Sequence, residues 1–272
     1  VGSLKQRLDL TLVEKGLFPS REKARASIMA GIIFIGGQRY DKPGSMIDPA
    51  AEIIVKEDLC PYVSRGGLKL EKAIREFDIT LSDACCMDIG ASTGGFTDCM
   101  LQNGARRVYC IDVGYGQLDW KLRNDPRVIN MEKVNIRYLE SDKIADPIDF
   151  ISIDVSFISL KLVLPVASGF LKNGGRMVCL VKPQFEAGRE QVGKNGIIRD
   201  KDIHLEVLEK TSSYADTNGL AVNGATFSPM TGAKGNIEFL LFLEKTGEAS
   251  AVDRTLFRRV VDEAHNTIGG QQ

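Results

Sequence analysis

Residues 87–96 read MDIGASTGGF and follow the apolar run DACC, so an acid, three glycines and two hydroxyl side chains stand where a buried strand gives way to a helix. Three glycines so close together imply a backbone that turns sharply or admits something near it. A turn of this kind at a helix start exposes backbone N–H groups and the positive end of the helix dipole, which suits a polar part of a nucleotide-like ligand. Asp112 closes the next apolar run, RVYCID. In a strand–helix–strand fold, an acid there accepts hydrogen bonds from ribose hydroxyls. The turn is not the G-x-G-x-x-G of pyrophosphate binders, and Asp88 would repel a pyrophosphate, which argues against an NAD-dependent oxidoreductase. S-adenosylmethionine, an adenosine carrying a cationic amino-acid tail, fits better, so methyl transfer is the expected chemistry. The candidate cofactor-binding residues are Asp88, Gly90, Ser92, Gly94, Gly95, Phe96, Asp112 and Asn135.

The elements that must hold these residues alternate. From about Ser64 the chain reads helix (SRGGLKLEKAIREF), strand (CCMDIG), helix (TGGFTDCMLQNG) and strand (RVYCIDVG). DFISIDVSF and GRMVCLVKP follow as buried strands joined by the helical crossover SLKLVLPVASGFLKNGG, then the helix HLEVLEKTSSYADTNG and the apolar strand IEFLLFLEK. Such alternation predicts an α/β fold with a doubly wound, mostly parallel, Rossmann-like sheet. Ligands of that fold bind beyond the carboxyl ends of the strands. Asp154 and Lys182 fall at two such ends, and Asp154 interrupts an otherwise apolar strand, where an unpaired carboxylate is costly.

Before Cys60 the pattern differs. LKQRLDLTLVEKG and SREKARASIMAG read as short helices, IIFIGGQRY as a hairpin and EIIVKED as a further strand, together a small α+β module. Its first 42 residues hold eight Lys/Arg against four Asp/Glu, although the 272-residue chain has a net charge of -1. Arg7, Lys15, Arg21, Lys23 and Arg25 lie on the two helices and suit a phosphate backbone. The expected organisation is therefore 1–60 as an RNA-binding module, 61–67 as a linker and 68–272 as the catalytic domain. Arg65, beside two glycines between the modules, is a further candidate RNA contact, expected to link domain orientation to the active site.

The bulk composition excludes other classes. Apolar and charged fractions of 43% and 26% are those of a soluble globular protein. The longest apolar stretch, FISLKLVLPVASGFL, carries Lys161 and Pro165, and the start lacks a signal-peptide core, so a cytoplasmic protein with no membrane partner is expected. Six cysteines without a C-x-x-C pair, and only two histidines, give no metal-site spacing. The cysteines read as reduced thiols packed as small hydrophobes, and His204 and His265 as ordinary helix residues.

DIGASTGGF, ISIDVSF, CLVKPQFE and GNIEFLLF, in this order behind the basic module, resemble the TlyA (hemolysin A) family: S4-domain proteins with an FtsJ-like (RrmJ) ribose 2′-O-methyltransferase domain. The resemblance covers nearly the whole chain. It implies an S-adenosylmethionine-dependent enzyme acting on cytidine ribose in ribosomal RNA, free or in ribosomal subunits. It also implies a catalytic tetrad, which falls on Lys69, Asp154, Lys182 and Glu238. A ribose hydroxyl is a poor nucleophile that must be aligned and relieved of its proton. Lys182, beside a second cation, is the expected base or steering donor, with Asp154 and Glu238 orienting the two ammonium groups. The rival readings are a non-catalytic RNA-binding or ribosome-assembly protein and, weakest, a cytolysin. The Gly-rich stretch PQFEAGREQVGKNGIIRD after Lys182 is expected to be a lid over cofactor or substrate.

Overall fold

The computed structural model describes residues 5–29, 31–55, 60–232, 234–247 and 254–268. The chain divides into two units, Val1–Pro61 and Tyr62–Gln272.

In the first unit, helices α1 (Leu8–Glu14) and α2 (Arg21–Met29) pack on a small sheet in which β2 (Ile33–Ile35) lies between β3 (Gln38–Tyr40) and β5 (Ile53–Val55). Gly36 and Gly37, with φ of +58° and +82°, make the β2–β3 turn, a conformation that costs other residues strain. The first helix starts later than its periodicity suggests. Gln6–Arg7 forms β1, which pairs antiparallel with β4 (Met46–Ile47). Leu8, Leu12, Ala24, Ile28, Ile33 and Ile47 form the core. The end of the expected strand EIIVKED, residues 56–58, lies outside the described residues.

The second unit carries a seven-stranded sheet in the order β11-β12-β10-β9-β6-β7-β8. Its strands are β6 (Cys85–Ile89), β7 (Arg107–Asp112), β8 (Val128–Glu132), β9 (Ile148–Ile153), β10 (Leu171–Val181), β11 (Leu220–Phe227) and β12 (Phe239–Lys245). Only β12 runs against its neighbours, pairing antiparallel with β10 and β11. Around the sheet lie α3 (Gly66–Glu76), α4 (Gly95–Gln102), α5 (Trp120–Arg123), α6 (Leu160–Phe170), α7 (Pro183–Glu186), α8 (Lys201–Asp216) and α9 (Arg254–Thr267). The chain leaves β6 towards β7 and returns through β9 on the other side of β6, so β6 and β9 flank the crevice where strand order reverses.

Among the elements with no counterpart in the sequence pattern are β4, β8, β11, α5, α7 and α9. The crossover helix also ends earlier than expected: Leu171 already pairs with Ile148, and a register shift between Leu171 and Arg176 takes up Gly174, at φ +72°. Residues 62–67 are not a free linker. Tyr62 is buried and donates from its hydroxyl to Glu71 at 2.9 Å, and Val63 N donates to Asp98 Oδ2 at 2.8 Å, fastening this segment to α3 and α4.

Candidate active site

The glycine turn 90–95 leaves β6 for α4 at the crevice. What comes closest to its glycines is the protein itself. A Cβ on Gly90 (φ +87°) would lie 2.3 Å from the Asp154 carbonyl oxygen, and one on Gly94 (φ +93°) would lie 2.2 Å from Leu122 Cδ1. A Cβ on Gly95 would lie 2.4 Å from Ser64 Oγ. The glycines let β9, α5 and the start of α3 close around the turn. They leave a pocket lined by Ser64, Gly66, Gly90, Ala91, Ser92, Thr93, Gly95, Phe96 and Asp154.

Of the four acid–base candidates Asp154 lines that pocket, and strand register brings Lys182 and Glu238 to the adjoining strands. Ile89 pairs with Ile153, Cys179 with Ile153 and Val181 with Phe239. Asp154 therefore stands level with Leu180, while Lys182 and Glu238 stand level with each other two residues further along, on neighbouring strands about 5 Å apart. Lys69, one helical turn beyond the pocket-lining Gly66, reaches the same place. Its Nζ donates to Glu238 Oε2 at 2.6 Å, and Lys182 Nζ lies 2.6 Å from Asp154 Oδ1. The two lysine side chains are only 12% and 11% exposed, so each has its counter-ion in a partly desolvated setting. Lys182 Nζ also donates to Ser156 Oγ at 2.9 Å. Asp154 Oδ1 is buried and receives no aligned hydrogen bond, so its pairing with Lys182 is Coulombic.

Asp112 is held from two sides: Ser92 N donates to Oδ2 at 2.7 Å and Gly114 N to Oδ1 at 2.6 Å. Each oxygen keeps acceptor capacity for a ribose hydroxyl. Asn135 serves locally, accepting from Arg137 N at 3.1 Å as the cap of a short helical turn.

Asp88 departs from expectation. Instead of meeting a cationic ligand group it is fully buried, accepting from Thr97 Oγ1 at 2.7 Å and Ser152 Oγ at 3.1 Å. Burial pushes its carboxyl up to about 7, against those two hydrogen bonds. Its side chain lies on the α4 face of β6, so it braces the turn from beneath.

The stretch after Lys182 is more ordered than its composition suggests. It contains α7 and two short helical turns, and Asn236 pins it: Asn236 Oδ1 accepts from Ile198 N at 2.9 Å and its Nδ2 donates to Gly196 O at 2.8 Å. Glu186 of α7 accepts from Ser159 Oγ at 2.6 Å and from Leu160 N at 2.7 Å, tying this stretch to the loop after Asp154. Ser156, Glu186 and Asn236 carried no recognisable signal; each works through a partner remote in sequence.

The basic residues expected to face RNA, Arg7, Lys15, Arg21, Lys23, Arg25 and Arg65, are all exposed. Arg7 and Arg21 both pair with the fully buried Asp9, at 3.0 and 2.9 Å, and they hold its carboxyl down to about 2. Cys85, Cys86, Cys99, Cys110 and Cys179 are buried with thiols pushed up by burial, as expected for packing residues. Among the described residues no helix is long and apolar enough to cross a membrane.

The lining fits S-adenosylmethionine: a turn rich in backbone groups and hydroxyls, the apolar Phe96 and, beyond the pocket, Asp112 for a ribose.

Two families match the chain: the FtsJ-like methyltransferases over residues 62–245 and the S4 domain over residues 6–53. Bacillus subtilis YqxC, provisionally named an rRNA methyltransferase, is 52% identical over 98% of this chain and 96% of its own. The Mycobacterium tuberculosis 16S/23S rRNA (cytidine-2′-O)-methyltransferase TlyA is 39% identical over 96% of this chain and 97% of its own. A solved Streptococcus thermophilus structure, provisionally named a hemolysin, shares 50% identity and a TM-score of 0.80 over 99% of both chains.

Proposed function

The chain belongs to the FtsJ-like methyltransferase family and carries an S4 domain, and on that premise we propose that it methylates the ribose 2′-hydroxyl of cytidine in ribosomal RNA. The observation that carries this reading is the pair of ion pairs, Lys182–Asp154 and Lys69–Glu238, gathered on neighbouring strand ends beside the glycine-turn pocket. S-adenosylmethionine, when bound, supplies an electrophilic methyl group on a sulfonium. Gly90, Ser92, Gly95 and Phe96 would hold it in the pocket, with Asp112 towards its ribose and Gly94 shaping the turn. Lys182, positioned by Asp154 and Ser156, keeps an ammonium proton free to donate to the hydroxyl oxygen and steer it. Asp154 accepts from the hydroxyl as its proton is lost. Lys69 and Glu238 neutralise each other, so the site presents balanced charge to a neutral nucleophile. Exclusion of water by the surrounding strands strengthens these interactions.

Lys15, Lys23 and Arg25 of the S4 unit are RNA contacts in this reading, as is Arg65 in the methyltransferase unit, and Arg7 and Arg21 add to the potential while bound to Asp9. A ribosomal substrate places the protein in the cytoplasm. The test is to incubate the chain with methyl-labelled S-adenosylmethionine and ribosomal RNA or subunits, then separate nucleosides by mass spectrometry. The expected product is 2′-O-methylcytidine, reduced at least 100-fold in Lys182→Ala. Label on a base, or none in RNA or subunits, would overturn the proposal.

A further inference from the structure

Among the described residues four aromatics of the methyltransferase unit are largely exposed: Phe157, whose ring meets that of Phe185, and three that lie in neighbouring segments at one end of the sheet. Tyr115 is 71% exposed, Trp120 78% and Tyr138 72%, and all three lie in the segments that follow β7 and join β8 to β9. Burying such rings in the core would be favourable, so three of them in water at one end of a sheet mark a contact surface. Cations interleave with them. Lys133 Nζ stands 4.3 Å above the Tyr115 ring, Arg137 lies 5.2 Å from the Tyr138 ring, and Lys121 follows Trp120.

These segments are braced. Lys133 N donates to Gly114 O at 2.9 Å, Gly116 N donates to Glu132 Oε1 at 2.9 Å, and Arg123 pairs with Glu132, which fixes α5 against β8. The surface also continues into the site: Asp119 N donates to Thr93 O at 3.2 Å and Val134 N to Asp112 O at 2.9 Å. Rings supply a stacking face to any base, and cations beside them meet the phosphates between bases, the pairing by which proteins hold single-stranded nucleic acid. An apolar protein partner would call for aromatics without the charges.

We propose that Tyr115, Trp120 and Tyr138, with Lys121, Lys133 and Arg137, form a docking ridge for the unpaired RNA that flanks the methylated nucleotide. This rests on the RNA methyltransferase reading above. The ridge holds the flanking strand by stacking, leaving recognition of the reacting ribose to the pocket.

Trp120 is the only tryptophan of the chain and reports directly. The full-length protein is titrated with an oligocytidylate of about ten nucleotides, a length that one single-strand site can occupy. Saturable quenching of Trp120 emission, weakened by salt, is expected. In fluorescence anisotropy with labelled oligocytidylate, the triple variant Tyr115→Ser, Trp120→Ser, Tyr138→Ser should bind about tenfold or more weakly, with an unchanged melting temperature. Asn223→Ser, which alters an exposed residue of β11 at the opposite edge of the sheet from β8, should bind as wild type. The ridge is wrong if RNA binds without changing Trp120 emission, if the triple variant binds as wild type, or if only RNA-free ribosomal protein quenches Trp120. Methyl incorporation into ribosomal RNA by the wild-type chain is measured in parallel. Its absence would count against the enzymatic reading, whereas its presence beside a silent Trp120 would count against the ridge alone.

Discussion

Lys69 and Glu238 come from opposite ends of the second unit's sequence and meet at 2.6 Å, with Glu238 only 3% exposed. Removing one member of such a pair leaves a charge with little water to solvate it, whereas replacing both by apolar groups removes the cost. Glu238→Leu is therefore expected to destabilise the second unit by about 3 kcal/mol, and Lys69→Met with Glu238→Leu by clearly less than the sum of the two single changes. Urea denaturation of the four proteins checks this, and additive losses would mean that the pair carries no coupling. The residue scale is also where sequence reading was most uneven. Asp154 was legible because a carboxylate in an apolar strand has to be paired or used. Asp88 was misread for the same reason: chain position cannot say which face of a strand a side chain takes, and the partners that absorb it, Thr97 and Ser152, lie 9 and 64 positions away. Lys69 and Glu238 were reached only through family resemblance, since a lysine on a helix and a glutamate before a strand are ordinary surface features.

Elements with a strong period were legible, and those whose partners lie far off were not. β6, β7, β9 and β12 announced themselves as apolar runs, but β8, with Asn130 and Glu132 in it, lies at the sheet edge and is only half-buried, and β11 contains Asn223 and Gly224. The last helix, α9, is defined by what it packs on. Its His265 Nε2 meets His204 Nδ1 of α8 at 2.9 Å, and the fully buried His204 ring stands edge-on to Phe239, the residue after Glu238. Burial, and then the neighbouring His265, push His204 down to about 4. The folded chain thus refuses a proton that the unfolded chain accepts near its ordinary value of about 6.5. The stability from neutral His204 is complete above that value and is lost as pH falls towards 4, by roughly 1.4 kcal/mol per pH unit. His204→Phe, which keeps a ring against Phe239, should flatten this slope. Urea midpoints measured for both proteins between pH 6.5 and 4.5 decide it, and parallel slopes would show that another group controls acid sensitivity.

At the scale of the whole chain, the change from a short helix–hairpin pattern to strand–helix alternation was readable, because each unit must bury its own apolar face and does so with its own period. The exact seam was not readable, since 62–67 look like a linker by composition and are fastened by Tyr62 and Val63 to α3 and α4. The two units differ greatly in core size. Among the described residues the first rests on six buried apolar residues and on Asp9 clasped by two arginines, while the second has a continuous core along seven strands. A module of about 60 residues buries a smaller fraction of its surface and is correspondingly marginal. Two unfolding transitions are therefore expected in calorimetry, the first unit melting below the second. Asp9→Ala, which removes the acid that ties Arg7 and Arg21 to α1, should lower only the earlier transition. Leu164→Ala, which opens a cavity at a fully buried position of α6, should lower only the later one, by about 2–5 kcal/mol. A single transition displaced by both substitutions would mean that the units fold as one cooperative body.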